Sequence, residues 1–152
     1  MIRIQIYFDG SCKNVKNSIE EKTGLGIAVL INGEYSEVYS KSLSGPPGTN
    51  NIAEWASCCE GFKIAEEIIE NCKLESISYI LEMNTDSQIV QKQYSGEYNI
   101  TKPYLKKYYE FAKKLGEKLN VQEIHWVKGH NGNIGNELAD RLASEGRRQV
   151  LD

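Results

Sequence analysis

Residues 2 to 9 alternate, with Ile4, Ile6 and Phe8 on one side and Arg3, Gln5, Tyr7 and Asp9 on the other, and the run ends in the turn-forming Asp9-Gly10-Ser11. The pattern predicts a strand that delivers a carboxylate at its end. Gly24 to Ile31 (GLGIAVLI) and roughly Tyr35 to Leu43 are two further β-type runs. Asn32-Gly33 between them is a strong signal for a two-residue hairpin. Three strands are therefore expected first, as an antiparallel meander. After the breaker run Ser44-Gly45-Pro46-Pro47-Gly48 the period lengthens: Ile52, Trp55, Ala56, Cys59, Phe62, Ala65, Ile68 and Ile69 recur at three- and four-residue spacings. That spacing predicts a helix to about Cys72 with Glu54 in its first turns. Ile77 to Met83 reads as a buried strand running into Asn84-Thr85-Asp86-Ser87, where a new helix starts with Asp86 or Ser87 near its cap.

Residues 103 to 119 carry the clearest amphipathic pattern. Leu105, Tyr108, Ala112, Leu115 and Leu119 share one face, and Lys102, Lys106, Lys107, Lys113, Lys114 and Lys118 share the other. Val121 to Val127 is a fifth strand, followed by the loop Lys128-Gly129-His130-Asn131-Gly132 and a last helix from about Gly135 to Gly146. The order is βββαβααβα, an α/β arrangement with helices against one mixed sheet. Strands after helices suggest parallel pairing, and strands after hairpins antiparallel pairing. No repeat or linker interrupts residues 1–152, which read as a single domain.

Composition changes this picture little. At 152 residues, 40% hydrophobic and 26% charged, the chain matches an ordinary globular domain that needs no disulfide or structural metal. The net charge of −3 argues against a protein that coats nucleic acid non-specifically, but leaves room for a nucleic-acid enzyme with clustered basic residues. No stretch has the length of a membrane span and the start does not resemble a signal peptide. Cys12, Cys58, Cys59 and Cys72 show no CxxC pairing, so reduced thiols and a cytoplasmic setting are expected.

Candidate chemistry lies in the acids. Asp9 and Asp86 emerge from strand ends, Glu54 from the first turns of a helix, and Asp140 from the last helix. Any one of the 21 acidic residues is by default solvated surface. Four that converge repel one another and raise their own pKa values unless a cation neutralises them. Oxygen-only ligands favour Mg²⁺ or Mn²⁺ over zinc. Two such ions, about 3.5 to 4 Å apart, activate a water on one side of a phosphodiester and stabilise the leaving oxygen on the other. Phosphodiester hydrolysis is the chemistry that follows.

Four motifs in order make the chain similar to the type 1 ribonuclease H family from Ile4 to about Gly146. They are Phe8-Asp9-Gly10-Ser11-Cys12, Thr49-Asn50-Asn51-Ile52-Ala53-Glu54, Thr85-Asp86-Ser87-Gln88, and Trp126-Val127-Lys128-Gly129-His130 continuing to Gly135-Asn136-Glu137-Leu138-Ala139-Asp140. Each is weak alone, and a chance match to all four is improbable. The resemblance implies a ribonuclease H-like fold, a five-stranded mixed sheet of three antiparallel then two parallel strands. It implies an endoribonuclease that hydrolyses the RNA strand of RNA·DNA hybrids, with two Mg²⁺ per site and Mn²⁺ as the alternative, leaving 5′-phosphate and 3′-hydroxyl ends. By position, Asp9, Glu54, Asp86 and Asp140 become the metal-binding acids, with Asp9 bridging both ions. His130 takes the place of a loop histidine that assists turnover or product release. Asn50, Asn51 and Gln88 are implied in the minor groove, where the 2′-hydroxyl distinguishes RNA from DNA. Gly10 and Ser11 are implied beside the RNA strand through their backbone, and Glu54 on a 2′-hydroxyl as well as a metal. The hybrid is the expected partner of a monomer without an obligate protein partner.

The chain departs from the family in two places. Lys13 to Thr23 is more polar and less glycine-rich than the usual loop. Tyr94 to Ile100 is short and lacks the tryptophans of a basic protrusion, as in the compact branch of the family. Tyr94, Tyr98 and Trp55 are read as packing and His125 as structural, and Cys12 lacks an adjacent base that would make it a nucleophile. The lysine face is balanced between a solvated surface and a grip on the DNA strand. Two other functional classes stay open, a non-catalytic hybrid-binding module and a DNA-directed nuclease of the same broad fold.

Overall fold

A computed structural model describes residues 1–12, 23–43 and 49–148. The run 44–48 and all but the last residue of the polar loop 13–23 lie outside the described residues. Among the described residues nine elements follow the predicted order: β1 (Ile2–Ser11), β2 (Gly24–Ile31), β3 (Glu34–Ser42), α1 (Asn50–Asn71), β4 (Tyr79–Thr85), α2 (Gln88–Ser95), α3 (Pro103–Lys118), β5 (Ile124–Trp126) and α4 (Ile134–Arg147). They form one five-stranded mixed sheet in the order β3-β2-β1-β4-β5. β1 lies at its centre, antiparallel to β2 and parallel to β4. The β2–β3 connection has both Asn32 and Gly33 at positive φ (50° and 84°), as the two-residue turn requires.

The period-two pattern decides what each face meets. Ile4, Ile6 and Phe8 of β1 and Leu25, Ile27 and Val29 of β2 join the large core with Trp55 and Phe62 of α1 and Leu105, Ala112 and Leu115 of α3. The alternate residues face α4: Tyr7 and Ala28 pack with Ala139. On that face β2 offers almost no side chain, and the backbone of α4 sits directly on it. A Cβ at Gly26 would lie 2.1 Å from the Ala139 carbonyl oxygen. Gly26 pairs with Asp9 across the sheet, so this close approach brings α4 against the strand that carries the first acid.

Three helix starts are held by side-chain caps. Thr49 Oγ1 accepts from Ile52 N–H, Ser87 Oγ from Val90 N–H, and Asn133 Oδ1 from Asn136 N–H. The Trp55 indole N–H donates to Gln93 Oε1 at 2.8 Å, which ties α1 to α2 in the core. Trp55 and Tyr94 are fully buried, as expected, and the Tyr94 hydroxyl donates to Val121 O at 2.7 Å.

Several boundaries and surfaces differ from the sequence expectation. β5 pairs only over Ile124–Trp126, because Val121 closes α3 instead, its N–H bonded to Gly116 O at 2.7 Å. β4 starts at Tyr79 because Ser78 N–H turns back to Glu75 O and leaves Ile77 78% exposed. Tyr98 is not core packing. The residue is 47% exposed, with Lys92 Nζ 5.0 Å from its ring centroid. The lysine face is partly consumed as well. Lys113 Nζ donates to Tyr94 O and lies 4.2 Å from the Tyr94 ring centre, and Lys118 pairs with Glu66 and Glu70. Lys106, Lys107 and Lys114 stay exposed.

A methyl group at Gly26 meets rigid backbone with no flexible side chain to yield. Gly26→Ala is therefore expected to cost about 1–3 kcal/mol of stability, read by urea unfolding, together with reduced activity as α4 is pushed from the sheet. A variant as stable and as active as the parent would show that α4 is not seated this closely.

Candidate active site

The acids meet where β1 and β4 end. These strands run parallel in a register that pairs Tyr7 with Asn84, and Asp9 and Asp86 lie two residues beyond those partners. Asp9 is 3% exposed. Glu54 reaches it from the second turn of α1, because Gly10 lets the helix backbone approach. A Cβ on Gly10 would fall 2.2 Å from the Ala53 carbonyl carbon and 2.6 Å from Glu54 N. Gly10 N–H also donates to the Glu54 carboxylate. One oxygen each from Asp9, Glu54 and Asp86 lie within 4.8 Å of one another. Asp140 stands outside this three-way set but is in hydrogen-bond contact with Asp9, and its charge acts on Glu54.

This arrangement is costly without a counter-ion. Burial raises the pKa of Asp9, and the neighbouring Glu54 and Asp86 charges add to it. Burial likewise pushes Glu54 up to about 8, against hydrogen bonds from Asp9 and Gly10 that lower it. Glu54 Oε2 is buried and has no hydrogen-bond partner. Crowded carboxylate oxygens, raised proton affinity and one orphaned buried oxygen are the properties of a site for a hard divalent cation. The residues present fit such an ion.

The remaining expected residues surround this cluster unevenly. Asn50 and Asn51 open α1 one turn before Glu54, and Gln88 opens α2 two residues after Asp86. Asn50 and Gln88 are exposed and Asn51 is half-buried. Ser11 has its hydroxyl engaged, accepting from Arg147 Nε at 3.0 Å. His130 is exposed in the loop before α4 with φ of 55°, and at Gly129 beside it a Cβ would come 3.2 Å from Asp86 Oδ2. His125 is exposed on β5 opposite Asn84.

Sequence reasoning missed the groups that hold Asp86. Trp126 Nε1–H donates to the Asp86 carbonyl at 3.1 Å, and Asn136 Nδ2 donates to Asp86 Oδ2 at 3.3 Å. The available signal was spacing, since Asn136 precedes Asp140 by one helical turn and so shares its face.

The sequence pattern of the RNase H family matches residues 2–148. The chain belongs to the RNase H family. The ribonuclease H of Nitrosomonas eutropha is 32% identical over 162 residues, covering 99% of this chain and 93% of that protein. Among solved structures, the RNase H1 of the halophilic archaeon Halobacterium salinarum superposes with a TM-score of 0.69 at 24% identity, covering 95% of this chain and 96% of that one. LC11-RNase H1, isolated from compost and solved in complex with an RNA/DNA hybrid, gives a TM-score of 0.71 at 19% identity, covering 93% and 97%. As an RNase H, this chain is an endoribonuclease acting on the RNA strand of RNA·DNA hybrids, in a metal-dependent family. The expected five-stranded sheet, three antiparallel strands then two parallel ones, is the one observed.

Asp9 and Glu54 keep their protons to higher pH in the fold than in the unfolded chain. The stability they confer is thus complete below the ordinary carboxylate range and lost as pH rises towards about 8 and beyond. In a chelator, the melting temperature of Asp9→Asn is expected to exceed that of the parent by a margin that grows between about pH 5 and about pH 8. Adding a divalent cation should close the gap by stabilising the parent. A margin that shrinks as pH rises would contradict the crowding of like charges.

Proposed function

We propose that this RNase H hydrolyses the RNA strand endonucleolytically with two Mg²⁺ ions at Asp9, Glu54, Asp86 and Asp140, leaving 5′-phosphate and 3′-hydroxyl ends. The observation that carries this reading is the set of three carboxylates from three separate elements within 4.8 Å of one another. Two divalent cations, when bound, supply activation of the attacking water and stabilisation of the leaving oxygen. Asp9 is the acid that interacts with all of Glu54, Asp86 and Asp140, which would suit it to help hold both ions. Mn²⁺ satisfies the same oxygen donors.

Around the acids, the amides of Asn50, Asn51 and Gln88 suit hydrogen bonds with 2′-hydroxyls and base edges in the wide minor groove of the hybrid. Gly10 and Ser11 present backbone to the RNA strand, and Glu54 reaches a 2′-hydroxyl as well as an ion. His130, on an exposed loop whose Gly129 leaves room for the Asp86 carboxylate, is assigned to turnover and product release. The complex of LC11-RNase H1 with an RNA/DNA hybrid supports the choice of substrate through the shared fold. We read residues 1–152 as one catalytic domain, monomeric and cytoplasmic. No helix among the described residues is long and apolar enough to cross a membrane, and Cys58, Cys59 and Cys72 are unbridged.

Asp86→Asn is expected to keep the fold and lower hybrid cleavage in Mg²⁺ by at least about a hundredfold. Cleavage is measured on labelled hybrid beside single-stranded RNA, double-stranded RNA and double-stranded DNA, with end analysis of the products. Parent-like cutting by the variant would remove the assigned site, and comparable cutting of double-stranded DNA would favour the DNA-directed nuclease. Binding of the hybrid without metal-dependent cleavage would make the chain a binding module.

A further inference from the structure

One fully buried amide reaches the acidic cluster without belonging to it. Asn136 is 2% exposed and sits in the first turn of α4. Its Nδ2 donates to Asp86 Oδ2 at 3.3 Å, while its Oδ1 is buried with no hydrogen-bond partner. The two ends of this side chain act in opposite directions. A buried acceptor left unpaired destabilises a fold, so Asn136 is a poor residue for stability. What it supplies in return is local. Two backbone ties hold the Asp86 segment, Trp126 Nε1–H to Asp86 O at 3.1 Å and Val127 N–H to Thr85 O at 2.8 Å, but neither reaches the carboxylate. Gly129 leaves room beside the same Oδ2, where a Cβ would come within 3.2 Å.

We infer that Asn136 is a positioning residue that fixes the rotation of the Asp86 carboxylate for the cation. This inference rests on the proposed metal site. With Oδ2 tethered by the amide, the carboxylate of Asp86 is held in one rotation, which leaves Oδ1 to the ion. α4 therefore contributes twice from one face. Asp140 brings charge to Asp9, and Asn136, one turn earlier, sets the geometry of Asp86. Partners of this kind, bonded to a ligand and not to the metal, typically govern affinity by tenfold or more.

The test compares the full-length parent with Asn136→Ala and Asn136→Leu, two apolar replacements of different size. Mn²⁺ binding is measured by titration calorimetry on the hybrid-free protein, and the melting temperature is measured in chelator. Both variants are expected to bind Mn²⁺ at least about tenfold more weakly. At least one should melt, metal-free, no lower than the parent, since the orphaned acceptor is gone. At saturating Mg²⁺ the loss should appear in kcat, with KM for the hybrid unchanged. Parental Mn²⁺ affinity in the variants overturns the inference, and so does weakened binding accompanied by a lower melting temperature in both. A parent that binds no Mn²⁺ would instead bring down the metal site itself, and this inference with it.

Discussion

Everything in this molecule turns on the distance at which backbones can approach Asp9. Like-charged carboxylates separate when free to do so, and here they are held together by chain packing. Two glycines make that packing possible. Gly10, next in sequence, admits the backbone of α1 and with it Glu54, and Gly26, the cross-strand partner of Asp9, admits the backbone of α4 and with it Asp140. A side chain at either position would push back a helix and the acid it carries. The sheet supplies the other neighbour, because β4 lies parallel to β1 and ends beside it.

The large core stabilises the molecule, and the site draws on that stability. Ile4, Ile6, Phe8, Leu25, Ile27 and Val29 meet Trp55, Phe62 and the apolar stripe of α3 on one face of the sheet. The opposite face carries the small cluster of Tyr7, Ala28 and Ala139. This asymmetry has a mechanical use. A thick, well-packed side anchors β1 and α1, while a thin side of small residues lets α4 lie close enough to place Asp140 on Asp9. Of the three buried side-chain atoms without a hydrogen-bond partner among the described residues, Ser42 Oγ, Glu54 Oε2 and Asn136 Oδ1, two belong to residues of the acidic cluster or bonded to it, as expected where local stability is given up for chemistry.

Much of this was legible in the chain. The alternation in β1 specified which of its residues would enter the core, Asn32-Gly33 specified the hairpin, and of the two cap candidates Asp86 and Ser87 the structure uses Ser87. What escaped were effects that local pattern does not encode. Val121 has strand propensity but is captured by α3 and by the Tyr94 hydroxyl, which shortens β5 to three residues. Lys113 fits a solvent stripe, yet a tyrosine ring and carbonyl from α2 draw it inwards. Asn136 on Asp86 and Arg147 on Ser11 are contacts between elements distant in the chain, so only the packed fold brings them together.

The parallel pairing of β1 with β4 bears on the dimensions of the cluster. Neighbouring strands stand about 4.8 Å apart whatever their side chains, and the paired register runs as far as Tyr7 and Asn84, so the hydrogen-bonded lattice sets the base from which Asp9 and Asp86 extend two residues further on. Loops can lengthen without altering that base. Glu54 and Asp140 are set differently, by helices whose backbones rest against Gly10 and Gly26. The site works as a vice with one jaw cast in hydrogen bonds and the others in close packing.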